Sequence, residues 1–172
     1  MLALVVTVAC VGSCSPTEDQ AVSQNEFLVR SLFDALQSAD SATIVELFWP
    51  DATYDDFASQ LQYRGTEEIL GYVTSLHSWA DDVYMNVGEV HVSEGGAVAE
   101  WLFAGVQARP MGELVPVVTN REVVVNGVTI IEVDGGRIRR AADYTDTTPL
   151  LLQLGGRMTL PGGGTMELEE PR

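Results

Sequence analysis

The spacing of apolar residues changes once along this chain, from a helical period to a strand period, and this change limits the folds available to it. In Gln24–Leu36 apolar residues recur every three or four positions, which predicts a helix with one buried stripe. Asp40 is the predicted N-cap of a short second helix that ends at Phe48. A third helix is predicted over Gly65–Trp79.

Beyond the third helix the pattern favours strands. Asp134-Gly135-Gly136 is typical of a hairpin turn, and Asn126-Gly127 is interpreted as lying within one long strand that bends or bulges there. Helices followed by an antiparallel meander predict an α+β fold, with about three N-terminal helices packed on a curved, cone-shaped antiparallel sheet. The mouth of such a cone would form an apolar pocket. The predicted strands are Ala52–Asp56, Val83–His91, Ala97–Gln107, Arg121–Val133 and Arg137–Tyr144, with a short helical turn over Leu150–Leu154.

The composition fits one acidic globular domain. The 172 residues are 46% apolar, and the net charge is −16. All nine basic residues are arginine, which excludes Schiff-base chemistry and a lysine general base. A negative field of this size repels phosphate backbones, so we expect no nucleic-acid partner.

The N-terminus has the pattern of an export signal. A short apolar run is followed by Val11-Gly12-Ser13-Cys14, which looks like a bacterial lipobox with Cys14 as the lipidated residue. We therefore expect a signal sequence over 1–13, a tether over 14–25, a folded domain over 26–156 and a flexible tail over 157–172. The lipid would anchor the exported protein at the cell envelope. An export signal normally has a positive charge before its apolar run, and none is present here. The alternative is therefore that the start is misassigned and the protein is cytoplasmic.

Cysteine chemistry is not expected in the folded domain. Cys10 and Cys14 are the only cysteines, so the domain itself would have no disulfide, cysteine nucleophile or cysteine metal site. His77 and His91 are the only histidines, and with scattered acids they show no metal-ligand spacing.

Four segments resemble the SnoaL-like branch of the nuclear transport factor 2-like superfamily, which includes the ketosteroid isomerases. They are LVRSLFDALQSADSATIVELFWPDATYDD, YRGTEEILGYVTSL, AVAEWLFAG and VDGGRIRRAADYTDTTPLLLQLG, within about Glu26 to Gly156. The resemblance implies the cone-shaped fold and a homodimer paired through the outer face of the sheet. The scaffold carries isomerases, polyketide cyclases, dehydratases, epoxide hydrolases and non-catalytic binders, so the fold alone does not give the function.

The resemblance also implies three candidate catalytic residues. Asp143 matches the acid that family enzymes often point into the cone from the last strand. The alternative is a carboxylate paired with a neighbouring arginine on the solvent face. Strand alternation does not settle the direction of Asp143, because it shares one face with Arg139 and Ala141, Ile138 and Arg140 share the other, and both faces are mixed. Asp56 matches the general base of the steroid isomerases, or else forms a turn. His77, at the end of the third helix, is a candidate acid/base partner or an ordinary helix-end histidine.

Aromatic residues are the candidates for binding substrate, with core packing as the alternative for each. Two known reactions of the superfamily lack their residues here. The oxyanion-hole tyrosine and acid of the steroid isomerases correspond to Leu32 and a position near Val128. The arginine and aspartate of limonene-type epoxide hydrolases correspond to positions near Trp101 and Phe103 in this sequence. The candidates are Tyr54, Trp79, Trp101, Phe103 and Phe33.

Two functions from different classes remain. The first is a cofactor-independent, metal-free acid/base enzyme of the isomerase, cyclase or dehydratase type. It would act on a small hydrophobic carbonyl or polycyclic compound, with Asp143 as acid/base and Asp56 or His77 as helper. The second is a non-catalytic, lipid-anchored module that binds a ligand or a partner.

Overall fold

A computed structural model describes residues 18–167 of the chain. The predicted signal sequence and residues 14–17 of the predicted tether, Cys14 among them, lie outside the described residues, whereas residues 18–25 of that tether are helical. The helices are α1 (Glu18–Ser38), α2 (Ser41–Leu47), α3 (Gly65–Trp79) and α4 (Thr148–Gln153). The strands are β1 (Phe48–Asp56), β2 (Leu61–Arg64), β3 (Ala80–Ser93), β4 (Gly96–Gln107), β5 (Glu122–Asp134), β6 (Arg137–Thr145), β7 (Met158–Thr159) and β8 (Thr165–Met166).

Six strands form one curved sheet in the order β2-β1-β6-β5-β4-β3. All neighbours are antiparallel except β1 and β6, which are parallel. Helix α1 lies against β3 and β4, and α3 lies against β1. The predicted α+β architecture is confirmed, although the sheet does not close. None of the described helices is long and apolar enough to span a membrane.

The helices form where the apolar spacing predicts them. The first helix starts six residues before the predicted Gln24, at Glu18, and its buried stripe includes Leu28, Leu32 and Phe33. Asp40 caps α2, since its Oδ1 accepts hydrogen bonds of 3.1 Å from the backbone N–H groups of both Ala42 and Thr43. This cap and the apolar stripe together place α1 and α2 over the inner face of the sheet.

A β-bulge in β6 decides which residues face the core. Val133 pairs with Ile138 and Glu132 pairs with Arg140, so Arg139 is an extra residue in β6. Because of this extra residue, Ile138 and Ala141 are both fully buried in the core. The same shift carries Asp143, two residues after Ala141, onto the inner face. The bulge therefore interrupts the alternation of faces along β6 and settles the direction of Asp143.

Asn126-Gly127 lies within β5, as predicted, and of the predicted bend or bulge the bulge is absent between β4 and β5. The register of β4 and β5 runs without a shift, and Gly127 pairs with Trp101. A Cβ atom on Gly127 would lie 2.2 Å from Cζ2 of the Trp101 indole. The glycine therefore makes room for the indole. In the tail, Met158 and Met166 pair in a small hairpin, which was not predicted.

Candidate active site

A largely apolar cavity of about 240 Å³ lies between the helices and the inner face of the sheet. Two carboxylates, Asp56 and Asp143, reach its wall from the ends of β1 and β6, and none of the arginines within residues 18–167 lines it. Its aromatic and thioether-bearing wall residues are Phe33, Tyr72, Trp79, Met85, Trp101, Phe103 and Met111.

Three hydroxyl groups from three different elements surround the carboxylate of Asp143. Tyr54 on β1 and Tyr72 on α3 donate hydrogen bonds of 2.9 and 3.0 Å to Oδ2. Thr129 on β5 donates a hydrogen bond of 2.5 Å to Oδ1. Tyr54 and Thr129 are fully buried. The parallel pairing of β1 with β6 and the packing of α3 on β1 bring these groups together.

Burial raises the pKa of Asp143 from 3.8 to about 6. The hydrogen bonds from Thr129, Tyr54 and Tyr72 oppose this rise, and the negative charge of Asp56 adds to it. Burial and the charge of Asp143 raise the pKa of both tyrosines well above the ordinary value of 10.0. At neutral pH Asp143 is therefore mostly ionised and the phenols are protonated. A carboxyl pKa close to neutral suits a general base.

A stack of three tyrosines holds the donors in place. The ring centroids of Tyr54 and Tyr72 lie 4.8 Å apart, and those of Tyr72 and Tyr63 lie 4.6 Å apart. Tyr72 is thereby packed between two rings while its hydroxyl reaches the cavity wall beside Asp143.

Asp56 lies at the cavity wall, and its oxygens are also used by the turn that follows β1. Its Oδ1 accepts a hydrogen bond of 3.0 Å from the N–H of Ala58, and its Oδ2 accepts one of 2.6 Å from the hydroxyl of Ser59. These are the hydrogen bonds expected from the alternative role of Asp56 as a turn-forming residue. Its contribution to the site is the charge that raises the pKa of Asp143.

Arg140 on β6 pairs with Asp55 on β1 rather than with Asp143. Asp55 is 9% exposed, and its Oδ2 lies 2.7 Å from Nε of Arg140. Arg140 also contacts Glu132 at 2.9 Å. The ion pair considered above as the alternative role of Asp143 is therefore made by its neighbour on β1.

His77 is not brought to the cavity. Its Nε2 lies 2.8 Å from the backbone carbonyl oxygen of Leu36, which can only accept, so the ring N–H donates a hydrogen bond to α1. The histidine joins α3 to α1, and it is not among the residues that line the cavity around Asp143. The predicted role of His77 as an acid/base partner has no geometric support.

The predicted aromatic residues do meet at one cavity. Phe33, Trp79, Trp101 and Phe103 all line it, with Trp79 and Phe103 in an edge contact of 5.8 Å between ring centroids. Tyr54 instead packs its ring in the core and reaches the site through its hydroxyl.

Sequence reasoning missed Tyr72 and Thr129. Tyr72 falls in an apolar helical pattern, and Thr129 falls in a β-branched run, so each is indistinguishable from a packing residue. The usable signal is a hydroxyl on a core-facing position, because a buried hydroxyl needs a partner.

The chain matches the family model of the SnoaL-like domain over residues 29–141. A candidate SnoaL-like polyketide cyclase from Jannaschia sp. CCS1 superposes with a TM-score of 0.70 at 22% identity, covering 83% of this chain and 96% of that one. TsrD from Streptomyces laurentii gives a TM-score of 0.68 at 22% identity over 77% and 96%.

A protein with a ketosteroid isomerase-like fold from Catenulispora acidiphila, solved in complex with trimethylamine, gives a TM-score of 0.65 at 20% identity, over 75% of this chain and 92% of that one. A search of curated protein sequences finds no match. These structural likenesses establish the fold, and the family model covers more than half of the chain. The chain belongs to the SnoaL-like domain family.

Proposed function

We propose that the protein is a cofactor-independent acid/base enzyme of the cyclase or isomerase type that acts on a small hydrophobic carbonyl compound. The observation that carries this proposal is the carboxylate of Asp143, which lies at the wall of an apolar cavity and is held by three hydroxyl donors. The polyketide cyclase-like structures with the same fold support the reaction class.

Asp143 is the general base in this mechanism. Its carboxylate takes a proton from the carbon next to the substrate carbonyl. The C–H electron pair forms the C=C bond of an enolate, and the carbonyl π electrons move to oxygen. If the substrate carries a double bond conjugated with the enolate, return of the proton from Asp143 to the far carbon of that system isomerises it. If the substrate carries a second carbonyl, attack of the enolate carbon on it closes a ring, and the new alkoxide oxygen takes the proton from Asp143. Proton transfer by a positioned carboxylate contributes about 10²–10⁴-fold.

Tyr72 is the phenol best placed to stabilise the enolate oxygen. Its hydroxyl donates to Asp143 Oδ2 while the carboxylate is ionised, and the residue lines the cavity. Once Asp143 is protonated, its attraction for that donor falls, and the Tyr72 O–H becomes available to the developing oxyanion. This arrangement differs from the oxyanion hole of the steroid isomerases, whose positions correspond to Leu32 and a position near Val128 here.

The walls favour a neutral, flat substrate. Aromatic rings line the cavity, the carboxylates of Asp56 and Asp143 are the charged groups among its described wall residues, and the chain carries a net charge of −16. Phosphate and carboxylate groups are repelled from such a site. One- and two-ring ketones are therefore the best first probes.

Deuterium exchange tests this proposal. The protein is incubated in D₂O with 2-tetralone, cyclohexanone or 1,3-cyclohexanedione, and mass spectrometry follows deuterium uptake next to the carbonyl. We expect uptake to fall about 10²–10⁴-fold in Asp143→Asn and to stay unchanged in Asp51→Asn, whose carboxylate is exposed on the sheet surface. Equal uptake by wild type and Asp143→Asn on every probe would refute the proposal.

A non-catalytic, lipid-anchored binding module is the second candidate. One observation favours it: the Asp143 carboxylate already has three internal donors. This candidate predicts that wild type and Asp143→Asn bind 2-tetralone with equal affinity and that neither catalyses exchange. Its anchoring part predicts that Cys14→Ser moves the protein from the membrane to the soluble fraction of bacterial cells. Membrane association unchanged by Cys14→Ser would remove the anchor.

A further inference from the structure

The hydrogen bonds around Thr129 have only one consistent direction. The indole Nε1–H of Trp101 can only donate, and it lies 2.8 Å from Oγ1 of Thr129. The Thr129 oxygen therefore accepts this bond, and its own single proton points to Oδ1 of Asp143 across 2.5 Å. The result is a short relay from Trp101 through Thr129 to Asp143.

The two oxygens of Asp143 are not equivalent. Each carboxylate oxygen has two lone pairs. Oδ2 accepts from both Tyr54 and Tyr72, so both of its lone pairs are engaged. Within the part of the chain that the structure describes, Oδ1 accepts from Thr129 alone and keeps one lone pair free. Because Asp143 lines the cavity, the free lone pair of Oδ1 is the one available to a substrate proton.

Thr129 is held rigidly in this position. It is fully buried and pairs directly with Asp143 across β5 and β6. The indole that fixes its hydroxyl fills the space over Gly127, where any Cβ atom would clash, and packs against Phe33 at 6.0 Å between ring centroids. The relay is thus anchored at both ends by packing.

We propose that Thr129 is a positioning residue whose hydroxyl, oriented by the indole of Trp101, holds Asp143 so that Oδ1 takes the substrate proton. This inference deepens the proposed function and rests on it. In the proton-transfer step the substrate C–H bond breaks, its electron pair stays with the substrate, and a new O–H bond forms at Oδ1. The hydrogen bond from Thr129 and those from the two phenols stay in place at the start of this step.

The first experiment needs no substrate. The side-chain carboxyl carbon of Asp143 is titrated by ¹³C NMR in wild type, Thr129→Val, Thr129→Ser and the control Thr53→Val. We expect the midpoint to rise by about one pH unit in Thr129→Val, because a hydrogen bond to a charged group is lost. Thr129→Ser should restore the wild-type midpoint. Thr53 lies on β1 away from the cavity, so its variant should leave the midpoint unchanged.

The second experiment uses 5-nitrobenzisoxazole, a flat bicyclic compound that opens when a base removes its C–H proton. The C–H electron pair forms the nitrile, the N–O bond breaks, and the phenolate product is coloured. In Thr129→Val we expect the rate on the alkaline plateau to fall about tenfold, with KM within twofold, because the base is misplaced. A more basic carboxylate in an unchanged position would react faster, so this fall separates positioning from basicity.

Each result decides one claim. An unchanged NMR midpoint in Thr129→Val, or a plateau rate equal to or above wild type, overturns the positioning role. If wild type opens the probe no faster than Asp143→Asn, the proposed function is contradicted. The NMR titration still shows whether the hydrogen bond from Thr129 lowers the pKa of Asp143. If Thr129→Val does not fold, Trp101→Phe serves instead, with a smaller rise in midpoint and a smaller fall in rate, and no change in either overturns the inference.

Discussion

The phenol of Tyr54 donates a hydrogen bond of 2.9 Å to the carboxylate of Asp143, although 89 residues separate the two in the chain. The parallel pairing of β1 and β6 makes this contact, since Tyr54 pairs with Ala141 and Asp56 pairs with Asp143. Strands β1 and β6, the first and last strands of the main sheet in chain order, therefore build the site together. A buried carboxylate is tolerated there because hydroxyl donors replace the water that it loses.

Removing this phenol should destabilise the fold. In Tyr54→Phe we expect the free energy of unfolding at pH 7 to fall by about 2 kcal/mol, because a buried charged group loses a donor. The matched control is Tyr63→Phe, which changes the third ring of the stack at a half-buried position without a bond to Asp143. Urea denaturation measures both. Equal losses in the two variants would show that the hydrogen bond to Asp143 contributes nothing.

The pKa of Asp143 predicts how stability depends on pH. Its folded-state pKa is about 6, above the ordinary 3.8, so the folded protein binds this proton more tightly than the unfolded chain. This contribution is fully present below about pH 4 and is lost as pH rises to about 6. It is worth about 2–3 kcal/mol.

In Asp143→Asn this group no longer titrates. Comparison of the variant with wild type therefore separates the contribution of Asp143 from that of the other acids. We expect the difference in unfolding free energy, variant minus wild type, to increase by about 2–3 kcal/mol between pH 4 and pH 7. Urea denaturation at several pH values gives this difference. A constant or decreasing difference would mean that burial does not raise the pKa of Asp143.

The contact between Gly127 and Trp101 predicts a large effect of one methyl group. In Gly127→Ala the new Cβ would lie 2.2 Å from the indole, so Trp101 must move and its bond to Thr129 must break. We expect a loss of about 1–3 kcal/mol in unfolding free energy. Gly71→Ala is the control, because nothing lies within 4 Å of its Cβ on α3, and it should stabilise by about 1 kcal/mol. A stable Gly127→Ala with unchanged Trp fluorescence would contradict the packing described above.

Two aspartates that pair with arginines should differ in their effects. Asp55→Asn removes a buried charge from Arg140 and should cost about 2–3 kcal/mol. Asp51→Asn removes an exposed partner of Arg139 and should change stability by less than about 0.5 kcal/mol. Thermal unfolding compares the two. Similar small effects would show that the Asp55 pair is effectively solvated.

The outer face of the sheet, through which the predicted homodimer would pair, carries apolar side chains. Tyr84, Leu102, Val124 and Val128 leave apolar side chains at half-buried or exposed positions on β3, β4 and β5. Burial of this face between two copies would be favourable. We expect sedimentation to show a dimer that Val128→Glu converts to a monomer. A wild-type monomer at micromolar concentration would refute the homodimer.

Local patterns predicted the helices well. The bounds of α3 and the Asp40 cap of α2 follow from residues within a few positions of each other, and both are as predicted. The apolar stripe of α1 is likewise a local property. Strand β2 was missed because its four residues show no clear alternation.

The site depended on long-range pairing that local patterns do not contain. The bulge at Arg139 decides that Asp143 faces inward, and it arises from the pairing of β6 with β5. Tyr72 reaches Asp143 from a helix 71 residues away. His77 was misplaced because its position on the helix was predicted but the direction of its ring was not. Family resemblance was the only signal that selected Asp143.

The pH dependence of 2-tetralone exchange tests the central claim, that Asp143 is a general base in the cavity, most directly. A base acts when ionised, so exchange should rise tenfold per pH unit below a midpoint near pH 6 and level off above it, following the pKa of about 6 for Asp143. In Asp143→Asn this pH dependence should vanish with the activity. An exchange rate in wild type that is flat between pH 5 and 8, or that persists with the same midpoint in Asp143→Asn, would contradict the claim.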